Sequence, residues 1–114
     1  MPVFLNALAL EAQDGQQLLL ELELAWLEAR HQVVALIRNF KPDLVLISAG
    51  FDSRAGDPLG GFTLSDGDFA DLTALLLEIA GSYAGGRLVS VLEGGYSLAG
   101  LAAAAVAHVE ALGG

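Results

Sequence analysis

The sequence predicts an α/β fold built on a parallel sheet. Two short apolar runs, DLVLIS (Asp43–Ser48) and RLVSVLE (Arg87–Glu93), show no polar alternation. Strands buried on both faces have this pattern, as in parallel sheets. Each run is followed by a stretch with helical periodicity. The order strand, long loop, helix, strand, tight turn, helix over residues 43–112 describes a right-handed crossover between parallel strands.

VFLNALAL (Val3–Leu10) reads as a strand, and DGQQ after it as a turn or helix start. From Gln16 to Asn39 the chain is rich in helix formers, with Leu19, Leu22, Trp26, Val33 and Ile37 at near-helical spacing. Leu18, Leu20, Leu24 and Leu27 widen that stripe, so this expected helix needs cover on more than one side. Pro42 ends it. The first clear strand follows, and residues 49–64, glycine-rich and with Pro58, form an irregular loop. Ser65 with Asp68 resembles a capping box. The helix it opens runs to Tyr83 with Phe69, Leu72, Leu76 and Ile79 on one face, and Asp71 and Glu78 opposite. Ala84–Gly86 stops it. After the second strand, Ser97 or Leu98 opens a last helix to about Leu112, with Leu98, Leu101, Ala105, Val109 and Leu112 inward. Two strands are too few for a stable sheet. Either the first segment adds a third, or an open edge invites self-association.

Composition narrows the function. A chain of 114 residues accommodates one compact domain. Its formal net charge of −9 argues against nucleic acid and anionic membrane surfaces as partners. It has no cysteine, which excludes disulfides and thiolate metal sites. MPVFLNALAL has no basic flank or cleavage-like site, and no uncharged apolar run is long enough to span a bilayer, so a cytoplasmic location is expected.

Ligands of open parallel α/β sheets bind beyond the carboxyl ends of the strands. Asp52 stands just past one strand and Tyr96 just past the next, and in a parallel pair those ends share one edge of the sheet. A carboxylate there can ligate a metal, act as a base or hold a turn. A phenol there can donate to a developing oxyanion or simply pack. Gly94 and Gly95 let the backbone pass close to a ligand. Asp57 reads as a turn residue bonding its own loop, and Arg54 as a surface partner for either Asp52 or Asp57.

PDLVLISAGFDSRAGDPLGGFTLS, followed by LVSVLEGGYSLAGLAAAAVAHVEAL, closely resembles the carboxyl-terminal third of the zinc-dependent histone deacetylase family. It is nearest to bacterial members of the acetoin-utilisation and acetylpolyamine amidohydrolase type. The resemblance covers residues 40–112. Residues 1–39 fit loosely, as a strand and helix before the motif. It implies the carboxyl-terminal portion of a three-layer arginase/deacetylase-like α/β fold. It also implies that Asp52 is one of three protein ligands of a catalytic Zn2+. By the same resemblance Leu59 lines the acyl-lysine tunnel, Gly94 and Gly95 flank the reaction centre, and Tyr96 stabilises the tetrahedral oxyanion. The implied substrates are acetylated lysine or an acetylpolyamine.

The family's other zinc ligands, an aspartate and a histidine, and its paired histidines have no counterpart: the sequence contains no D-x-H and no H-H. Its two histidines, His31 and His108, stand on predicted helices and read as helix-surface or core-flank residues. The resemblance thus implies a single partial domain over 1–114, a deacetylase part inactive alone. The alternative is a non-catalytic half-domain that self-associates through QQLLLELELAWLEA (Gln16–Ala29) and the open sheet edge. Ser48, Ser53 and Ser97 lack the G-x-S-x-G context or histidine partner of a serine hydrolase.

Overall fold

A computed structural model describes residues 6–12, 17–22 and 34–113. Strands β1 (Asn6–Glu11), β2 (Gln17–Leu22), β3 (Leu44–Ala49) and β4 (Leu88–Leu92) form one sheet in the order β2-β1-β3-β4. Residues 34–40 are helical (α1), followed later by α2 (Asp66–Tyr83) and α3 (Leu98–Ala111). β3 and β4 run parallel, with Val45 opposite Leu88 and Ala49 opposite Leu92, joined through α2 as expected. β1 supplies the third strand. It pairs antiparallel with both β3 and β2, so the sheet is mixed.

The expected long helix is corrected at its start. Gln17–Leu22 is strand β2, not helix. Its leucines carry no period that separates strand from buried helix, and pairing with β1 decides the outcome. The expected strand residues Val3–Leu5, and Trp26, His31 and Val33 of the expected helix, lie outside the described residues. At the other end of that helix α1 gives way to Lys41, at φ 55°, and to buried Pro42.

Local signals govern α2. The Ser65 side chain accepts from the Asp68 N–H at 3.1 Å, and the Asp68 carboxylate accepts from the Ser65 N–H at 2.8 Å. Phe69, Leu72, Leu76 and Ile79 are buried, as their spacing requires. They join Val45, Ile47 and Ala49 of β3 and Ile37 of α1 in one apolar cluster, so the three helices share one face of the sheet. Replacing Ser65 by alanine is expected to cost about 1 kcal/mol in denaturant unfolding, because the Asp68 N–H loses its acceptor.

Two expectations about burial are corrected. β4 is an edge strand rather than a buried one, with Val89 50% and Val91 55% exposed. These residues point away from the helices, where the described residues supply no cover. α3 is rolled from its leucine stripe. Leu98 is 88% exposed and Val109 is exposed, whereas Leu101 and Ala105 pack against the core as expected, and Gly100, Ala104 and His108 face inward beside them. Small residues let the helix approach closely, and the polar bonds of His108 fix that face inward. Among the described residues, no helix is long and apolar enough to cross a membrane.

Candidate functional site

The ladder between β3 and β4 continues past the strands. The Glu93 N–H donates to Ala49 O at 3.0 Å, and the Phe51 N–H to Gly94 O at 2.9 Å. These bonds hold the chain ahead of Asp52 against the GGY turn. An added Cβ at Gly94 would lie 3.1 Å from Asp52 Oδ1, so the carboxylate rests directly on that glycine. Gly95 is required for another reason. Its φ of +137° is open only to glycine, and a Cβ there would press on the Leu101 side chain at 2.8 Å. Asp52, Gly94 and Gly95 are therefore brought together at the carboxyl edge of the parallel strands. Tyr96 follows them with 55% of its surface exposed, and Leu59 on the facing loop is 68% exposed.

That loop is closed on itself. The Ala55 N–H donates to Leu64 O at 2.8 Å and the Leu64 N–H to Ser53 O at 3.1 Å. Asp57 holds its tip, since Oδ1 accepts from the Leu59 N–H at 2.9 Å and the Gly60 N–H at 3.0 Å. This is the expected turn. Unexpectedly, Oδ2 also accepts the Tyr96 N–H at 2.8 Å. Partial desolvation pushes the Asp57 carboxyl up, but N–H donors from Tyr96, Leu59, Gly60 and Ser97 together hold it below its ordinary value.

Arg54 pairs with neither expected aspartate. Its Nε and Nη2 reach the two oxygens of Asp66 at 2.6 and 3.1 Å. The Arg54 hydrogen bond holds Asp66 below its usual value. The fork ties the loop to the first turn of α2, where a negative charge also suits the helix dipole.

His108 lies deeper than a flank position, beneath the Phe51 ring at 5.7 Å. It is 6% exposed. Thr73 Oγ1 donates to Phe69 O at 2.7 Å, so it must accept from His108 Nδ1, also 2.7 Å away. Nε2 is then the bare nitrogen that accepts from Ser90 Oγ at 2.8 Å. One neutral tautomer satisfies every partner, and the ring joins α2, β4 and α3. Burial lowers its pKa below 6.5. The sign follows. Above pH 6.5 both folded and unfolded states are neutral. As pH falls from there toward the folded pKa, the unfolded chain binds a proton that the folded chain refuses, so stability is lost across that window. NMR titration of the His108 ring is expected to give a midpoint below 6.5. A midpoint at or above 6.5 would contradict this environment.

Comparison with known proteins places these features. A family model described as "Histone deacetylase domain" matches residues 11–112, extending further toward the amino terminus than the motifs at 40–112. The chain is 38% identical over 91 residues to the histone deacetylase-like amidohydrolase of Pseudomonas aeruginosa, covering 79% of this chain and 24% of that protein. It is 46% identical over 82 residues to the human (Homo sapiens) polyamine deacetylase HDAC10, covering 72% of this chain and 12% of that protein. Among solved structures it is similar to the HDA15 HD domain, with a TM-score of 0.64 and 36% identity over 79% of this chain and 24% of that one. The chain thus spans less than a quarter of the length of these proteins.

Proposed function

The chain belongs to the histone deacetylase family, matching part of its domain, and from that membership we propose that it forms one wall of a deacetylase centre and is inactive alone. The substrates proposed are acetylated lysine side chains or acetylated polyamines. The observation that carries this reading is the contact of the Asp52 carboxylate with Gly94 at the carboxyl ends of β3 and β4. Tyr96 donates its phenol O–H to the oxyanion that forms as the amide carbonyl is attacked. Leu59 forms part of the wall beside the acyl chain, and Gly94 and Gly95 keep the backbone low at the reacting carbon.

Asp52 is the residue offered to a zinc ion, which would supply Lewis-acid polarisation of the carbonyl. The described donor set falls short of such a site. Among the described residues no three His, Cys, Asp or Glu side chains gather to hold a metal, whereas a catalytic zinc takes about three protein ligands. His108 does not add a donor, because both of its nitrogens are engaged by hydroxyls. The remaining ligands must come from outside the described residues.

The test is reconstitution with the remaining part of a family domain, taken from the Pseudomonas aeruginosa relative. Tyr96→Phe is expected to lower hydrolysis of an acetyl-lysine peptide or acetylpolyamine roughly a hundred- to a thousandfold, with the circular dichroism spectrum unchanged. Retained activity would remove Tyr96 from this role.

A second reading rests on β4. Its outer edge has no strand partner among the described residues, and Val89, Val91 and Leu92 are exposed beside it. That combination favours self-association of a non-catalytic half-domain. A clean monomer by sedimentation, without hydrophobic-dye binding, would contradict it.

A further inference from the structure

We propose that Asp57 is a positioning residue that locks the backbone of Tyr96 to the loop carrying Leu59, fixing the phenol relative to the substrate wall. The functional roles of Tyr96 and Leu59 rest on the reading above; the lock itself does not.

An Asx turn needs one acceptor oxygen. Asp57 Oδ1 serves it fully by accepting the Leu59 and Gly60 N–H groups. Oδ2 is therefore free of the turn, and it takes the Tyr96 N–H, 39 residues away, at 2.8 Å. Each oxygen thus holds a different loop. The Tyr96 side needs such a hold. Tyr96 is more than half exposed, follows Gly95 at φ +137°, and precedes the Ser97 cap of α3, so neither strand nor helix pairs its N–H. Asp57 is itself held in place, since its own N–H donates to Arg54 O at 3.1 Å and Arg54 is forked onto Asp66. The chain of contacts runs from α2 through Arg54 and Asp57 to Tyr96. A displacement of about 1 Å in a group of this kind is costly to catalysis, and a two-point carboxylate prevents it.

Asp57→Asn separates the two holds. Asparagine keeps one carbonyl oxygen and favours the same turn, while its NH2 cannot accept from Tyr96. Amide hydrogen exchange by NMR on the full chain reads the result. In the wild type, the Tyr96 amide is expected to exchange at least roughly tenfold more slowly than an open segment would. In the variant that protection disappears, while the Leu59, Gly60, Leu72 and Leu76 amides keep theirs. An unprotected wild-type Tyr96 amide would overturn the proposal even if the variant failed to fold. So would protection that survives in the variant, or a loss spread evenly over the core.

In the reconstituted protein, Asp57→Asn is expected to lower kcat roughly tenfold and leave KM within about twofold. A rise in KM alone, with kcat unchanged, would assign Asp57 to the wall rather than to the phenol, against the proposal. If the reconstituted wild type is itself inactive, the deacetylase reading fails, and hydrogen exchange still decides the lock.

Discussion

Phe51→Ala is expected to destabilise the chain by about 3–5 kcal/mol in denaturant unfolding. Phe51 is 3% exposed and is the link between the core and the candidate site. Its ring meets Phe69 edge-on at 5.2 Å and His108 at 5.7 Å. Truncation removes the transfer free energy of the ring, leaves a cavity between α2 and α3, and forfeits both edge contacts. The walls of that cavity include a histidine already fixed by Thr73 and Ser90, so collapse around it is restricted. Against a total stability of about 5–15 kcal/mol, the loss is a large fraction. Phe51 also immediately precedes Asp52, so the same change should loosen the carboxylate. A cost below about 1 kcal/mol would mean that the site edge is not anchored in the core as described.

Gly60→Ala is expected to cost about 3 kcal/mol or more, at the upper end of overpacking. A Cβ at this position would overlap the carbonyl of Asp52. The obstructing atoms are backbone, so no side-chain rotation relieves the clash. Either Asp52 moves off Gly94 or the 54–64 loop opens. The Gly60 N–H is also one of the donors to Asp57, and moving it weakens the turn that places Leu59. The contrasting substitution is Gly61→Ala, where an added Cβ meets nothing within 4 Å and only the φ of +73° opposes it. Gly60→Ala should therefore destabilise clearly more than Gly61→Ala, measured as the difference between their unfolding midpoints. Equal effects would indicate that the loop does not pack against Asp52.

What could be read from the sequence was what depends on neighbours along the chain. The Ser65–Asp68 box, the apolar face of α2, the β3 run and the Asp57 turn each involve residues within a few positions of one another. Tertiary partners reversed several other readings. The leucines of residues 17–22 suit either state until β1 lies beside them. α3 carries more hydrophobicity on its leucine face, yet turns inward on Gly100, Ala104 and His108, because close approach and paired polar groups outweigh side-chain size. Arg54 chose Asp66, 12 residues on, over the nearer carboxylates because its fork meets both oxygens there. The second contact of Asp57 had no signal at all, since nothing local marks a partner 39 residues away. The placement of Asp52 beside the GGY turn was legible because two parallel strands must end on the same edge. That the proposed zinc site needs further donors was legible only through the resemblance.

The central claim is that Asp52 is a lone metal donor in this chain, awaiting others from the rest of a deacetylase domain. Calorimetric titration of zinc into the purified chain, with Asp52→Ala titrated in parallel, tests it most directly. The account predicts no tight stoichiometric binding to either protein. Tight one-to-one binding by the wild type that is lost in the variant would contradict it, because the chain would then complete a metal centre by itself.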